Sequence, residues 1–126
     1  MRIQQIRTGR NVKGMMEKLR EIYLREKFEG DDEVTMTFGY ILNTAFSETE
    51  NTDDWNKIID SSIAVEEKYF KSIKDNPTTK FRLSDKCAVG IDSMTKMFSN
   101  ELGLKAQKGF TVKQIFKAAL LLREEK

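Results

Sequence analysis

Most of the side chains that carry out chemistry are missing from this sequence. There is no histidine among the 126 residues. That removes the commonest general base, the commonest metal ligand and the usual activator of a serine or cysteine nucleophile. The single cysteine, Cys87, has no second thiol for an internal disulfide and falls on an apolar stripe, where it reads as a small buried residue. No phosphate-cradling glycine loop and no zinc-ligand spacing is present. The 20 acidic residues show no spacing that recommends acid–base catalysis. The sequence therefore points to a protein that is not an enzyme and needs neither cofactor nor metal.

Cations remain as the groups with something to bind. The net charge of +2 hides an uneven distribution. Residues 1–46 carry 8 Lys/Arg against 7 Asp/Glu, residues 47–76 carry 4 against 8, and residues 77–126 carry 10 against 5. Arg2, Arg7, Arg10 and Lys13 stand in the first thirteen residues with no acid among them. Basic ends around an acidic middle favour a polyanion as partner. No apolar run approaches the roughly 20 residues of a membrane helix, and the N-terminus lacks a secretory pattern. The expectation is a cytoplasmic protein without a membrane partner.

The elements that would position these cations repeat along the chain. At an offset of 75, Gln5, Ile6, Arg7 and Thr8 fall on Lys80, Phe81, Arg82 and Leu83, and Val12, Met16, Leu19 and Tyr23 fall on Cys87, Ile91, Met94 and Phe98. At an offset of 74, Thr37, Ile41 and Ala45 fall on Thr111, Ile115 and Ala119. Each copy begins with a short alternating stretch, residues 3–8 and 80–84, which predicts a strand with one apolar face. Apolar residues spaced by three and four follow, the mark of a helix with one buried stripe. Gly30 and Gly103 stand where left-handed residues end helices. Thr37 and Thr111 are expected to cap the next helix of each copy, with Thr35 a rival to Thr37. Gly39 is unfavourable inside a helix by about 1 kcal/mol.

The chain thus reads as a mainly helical protein with two strand-helix-helix units, residues 1–46 and 77–126. Residues 47–76 form an acidic loop and a connecting helix on the stripe Ile58, Ile59, Ile63, Tyr69, Phe70 and Ile73, capped by Thr52 or Asp53 and stopped at Asn76-Pro77. The connecting helix packs on the fused core or buries a second copy or a protein partner.

Lys80-Phe81-Arg82-Leu83-Ser84, the helix ending near Gly103 and the segment Thr111–Ala119 together resemble the ribbon-helix-helix family of DNA-binding proteins. The second copy carries the likeness over about 45 residues. The first departs from it at Thr8, where an apolar residue is expected. The resemblance implies a single-chain pseudo-dimer whose two strands pair as an antiparallel ribbon in the major groove of double-stranded DNA. It implies that Ile6, Phe81 and Leu83 seal the core, and that Gln5, Arg7, Lys80, Arg82 and Ser84 face base edges. Thr37, Thr111 and Lys113, with Lys105 and Lys108 in the preceding loop, are implied to hold phosphates at the start of each second helix. The expected function is sequence-specific DNA binding by a transcriptional repressor or a plasmid or mobile-element regulator. A relaxosome accessory factor in conjugation and an antitoxin share the layout. From another class, a helical protein-interaction module fits the near-neutral charge.

Overall fold

The alternation around Phe81 and Leu83 does form a strand, and the strand finds its partner within the chain. The computed structural model describes residues 2–71, 73 and 76–124. Strand β1 (Arg2–Arg7) pairs antiparallel with β2 (Thr78–Leu83), from Arg2 opposite Leu83 to Arg7 opposite Thr78. Ile6, Phe81 and Leu83 point inward and are buried, so one face of this two-stranded ribbon closes the core. Pairing satisfies backbone groups that neither strand could satisfy alone. Thr8 is buried too. Its hydroxyl bonds the Thr79 hydroxyl at 2.6 Å and its amide donates to the Pro77 carbonyl at 3.0 Å, which is how a polar residue occupies an apolar position at little cost.

Helices supply the rest of the core. Helix α1 (Arg10–Phe28) buries Val12, Met15, Met16, Leu19 and Tyr23. It ends through Glu29 and Gly30, both left-handed (φ 55° and 76°), with the Gly30 amide donating to the Leu24 carbonyl. Helix α2 (Phe38–Thr49) starts at Thr37, whose hydroxyl accepts the Tyr40 amide at 3.2 Å. Helix α4 (Asp85–Leu102, numbered after α3 below) buries Cys87, Ala88, Ile91 and Phe98 and stops at Gly103 (φ 65°). Met94 is only partly buried against the core. Burial pushes the Cys87 thiol up to about 12, as suits an unreactive core residue.

Two expectations need correction. The last helix, α5 (Lys108–Glu124), starts before Thr111. Thr111 is fully buried inside it, its amide bonded to the Gln107 carbonyl and its hydroxyl to Thr95 at 2.6 Å. Helices α2 and α5 start at Phe38 and Lys108, 70 residues apart, where the expected repeat had an offset of 74. The connecting segment is also not one helix. Helix α3 covers only Trp55–Asp60 and is capped by Asp54 in place of Thr52 or Asp53. Residues 61–66 have no helix, and Glu67–Phe70 form a single 3-10 turn. The stripe from Ile58 to Phe70 mixes two periods, because Ser61 to Val65 alternate half-buried and exposed in the manner of extended chain. Trp55 stacks edge-on to Phe98, centroids 5.8 Å apart, and Ile58 is buried, so this segment's main apolar side chains are covered by the chain itself. Lys117, itself buried, donates to the Ile59 carbonyl at 3.0 Å and so caps the last turn of α3.

At the far end of α5, a polar cluster ties three helices. Arg123 donates to both oxygens of Glu48 (3.0 and 2.7 Å) and to Glu26 (2.9 Å), while the Tyr23 hydroxyl donates to Glu48 at 2.7 Å. Burial pulls the Glu48 pKa upward, but the hydrogen bonds from Arg123 and Tyr23 and the charges of Arg123 and Lys27 outweigh it, and the net shift is down. A depressed carboxyl pKa contributes stability above the ordinary glutamate range, and that stability disappears as pH falls through the folded-state value. Thermal midpoints taken from pH 7 down to pH 3 should therefore drop more steeply for the natural chain than for Glu48→Gln. Parallel curves would show that the Glu48 charge contributes nothing.

Candidate nucleic-acid interface

The register fixes which side chains share the outer face of the ribbon. They are Ile3, Gln5 and Arg7 from β1 and Thr78, Lys80 and Arg82 from β2. Gln5 and Lys80 are directly opposed at the centre, and Arg7 and Arg82 lie toward opposite ends. At about 3.4 Å per residue, the two arginines stand roughly 14 Å apart along the ribbon. That is about four base-pair steps, taking 3.4 Å for each. Gln5, Arg7, Lys80 and Arg82 are exposed. Among the described residues, none of their side chains makes a hydrogen bond or ion pair within the chain, and no acid lies on this face. Arg2 points to the other side, where it pairs with Asp85 at 3.4 Å.

Two glycines bring helix starts up to this face. A Cβ on Gly39 would lie 2.4 Å from the Arg82 carbonyl oxygen, and one on Gly109 would lie 2.4 Å from the Arg7 carbonyl oxygen. Gly39 and Gly109 are each the second residue of their helix. The first turn of α2 is thus seated on the backbone of Arg82, and the first turn of α5 on that of Arg7. Asn43 fastens the first of these junctions: its amide donates to the Arg82 carbonyl at 3.3 Å and its Oδ1 accepts the Ser84 amide at 3.1 Å. The backbone of each arginine consequently lies against the first turn of a helix, where the helix dipole is positive.

The remaining expected site residues divide. Thr37 is exposed at the cap of α2, beside the Arg82 end. Lys105 is exposed in the loop before α5, and Lys108 opens that helix, tied to Asp92 (3.2 Å) and Gln4 (3.3 Å). Ser84 does not join the outward face. It follows β2, is half-buried, and its hydroxyl caps α4 by accepting the Cys87 amide at 3.2 Å. Thr111 is inside the core. Lys113 is exposed but lies more than a turn into α5, lining a cavity of about 200 Å³ with Asn11, Ser62 and Lys117. Neither Thr111 nor Lys113 stands at the helix start. Ile3, Asn43 and the two glycines were not anticipated in these roles. The pair Phe38-Gly39-Tyr40 and Lys108-Gly109-Phe110, a glycine before an aromatic at an offset of 70, was the available signal.

No family model, curated protein or solved structure matches this chain. Among the described residues, no group of three potential ligands could hold a metal ion, and no helix is long and apolar enough to cross a membrane.

Proposed function

We propose that the protein is a sequence-specific binder of double-stranded DNA, built as a single-chain ribbon-helix-helix pseudo-dimer and acting as a DNA-bound regulator. One observation carries the reading. Gln5, Arg7, Lys80 and Arg82 extend from one face of a two-stranded ribbon with no side-chain hydrogen bond or ion pair among the described residues, and the backbone of each arginine adjoins a helix start. A two-stranded ribbon fits the major groove, where arginine matches the two acceptors of guanine and glutamine the adenine edge. Helix starts alongside suit the flanking phosphates. The pseudo-dimer is supported by the offset of 75, which exchanges Gln5 with Lys80 and Arg7 with Arg82. A pseudo-two-fold axis through the central pair is consistent with the register. Because Gln5 and Lys80 differ, the favoured site has unlike halves, whereas an identical-chain dimer favours a palindrome.

The test is fluorescence anisotropy against mixed-sequence duplex at rising salt. Phosphate neutralisation makes affinity fall linearly on a log–log scale, by roughly a hundredfold between 50 and 200 mM salt for about four phosphates. Absence of binding at the lowest salt, or affinity indifferent to salt, would reject the reading and favour a protein partner.

A further inference from the structure

We infer that Ile3 is a base-reading residue, specific for the methyl group of a thymine next to the base pair contacted by Arg82. The assignment rests on the DNA reading above. Ile3 is 64% exposed, the most exposed large apolar side chain among the described residues. All other described isoleucines are buried or half-buried. It lies in a paired strand, directly opposite Arg82, on an otherwise polar face. An apolar side chain on the open face of a short ribbon invites self-association and gains nothing from water. In a major groove it meets a suitable partner, because the thymine C5-methyl is the one apolar group that the base edges present there.

The opposite end of the ribbon differs in kind. The offset that exchanges Arg82 with Arg7 exchanges Ile3 with Thr78, which is half-buried. Ile3 therefore marks one half of the target. It orients the protein on its site and adds a preference that arginine contacts alone do not supply.

The experiment starts by selecting the preferred duplex from a random pool. Each thymine in it is then replaced singly by 2′-deoxyuridine, which removes only the methyl group. The natural chain should lose affinity about threefold to tenfold at one thymine near the Arg82 end, as expected for one buried methyl. Ile3→Ala, at an exposed position and so without consequence for folding, should bind the thymine and uracil duplexes equally. Uniform affinity of the natural chain across all the uracil duplexes overturns the Ile3 assignment and leaves the DNA reading standing. The same sensitivity in Ile3→Ala also overturns it. Failure to select any duplex rejects the DNA reading itself.

Discussion

Replacing Arg7 and Arg82 together by alanine is expected to weaken binding to the selected duplex by about a thousandfold while leaving the thermal midpoint unchanged. A bidentate arginine–guanine contact discriminates by about 1–3 kcal/mol. Two such contacts at about 2 kcal/mol each amount to roughly three powers of ten. Simple addition is justified, because the side chains stand roughly 14 Å apart along the ribbon and sites more than about 10 Å apart without shared partners act independently. Stability should not move, since neither side chain touches another charged or polar group among the described residues. Lys105→Ala is the useful contrast. A lysine at the phosphate level weakens all sequences alike and lowers the salt slope by about one. A double arginine variant that binds within threefold of the natural chain would remove the ribbon as the reading surface.

The parts of this surface that were legible in sequence follow from short-range rules. Lys80, Phe81, Arg82 and Leu83 alternate in chemistry, and a strand alternates in direction, so the outward residues could be assigned once a strand was accepted. Glycine at position 103 ended a helix because a left-handed residue was needed there. What remained hidden depends on a second element. Thr111 has the sequence character of a cap, yet Lys108-Gly109-Phe110 continue the helix upstream, and the Thr111 hydroxyl is satisfied by Thr95 from α4. The serine after Leu83 continued the alternation on paper, but Asn43 from α2 and the start of α4 claim it. Ile3 shares the outward face of Gln5 and Arg7 by the same alternation, but only the register with β2 sets it opposite Arg82. The connecting segment misled for a different reason. Ile59 and Ile63 stand four residues apart, which puts them on one face of a helix and of an extended chain alike, and length alone does not choose between them.

Gly39→Val and Gly109→Val should each cost about 2–4 kcal/mol of stability, and they should do so for a reason that links fold to site. Glycine in a helix is ordinarily a weakness of about 1 kcal/mol relative to alanine, so a side chain here would be expected to help if space allowed. Space does not allow it. The Cβ would meet a carbonyl oxygen at 2.4 Å in both cases, and that oxygen belongs to strand backbone, which cannot swing aside as a side chain can. Relief requires the helix to back away from the ribbon, losing packing beneath Phe81 and Leu83 as it does; overpacking of this kind typically costs about 1–3 kcal/mol. The branched valine adds its own crowding within the helix. Gly9→Ser supplies the control. Gly9 stands at the cap of α1 with nothing within 4 Å of its Cβ, and serine is the better capping residue, so stability should hold or rise slightly. Chemical denaturation of the three variants separates these outcomes. Gly39 and Gly109 variants as stable as the natural chain would mean that the helix starts are not held against Arg82 and Arg7, and the proposed pairing of each arginine with a phosphate at a helix end would lose its structural basis.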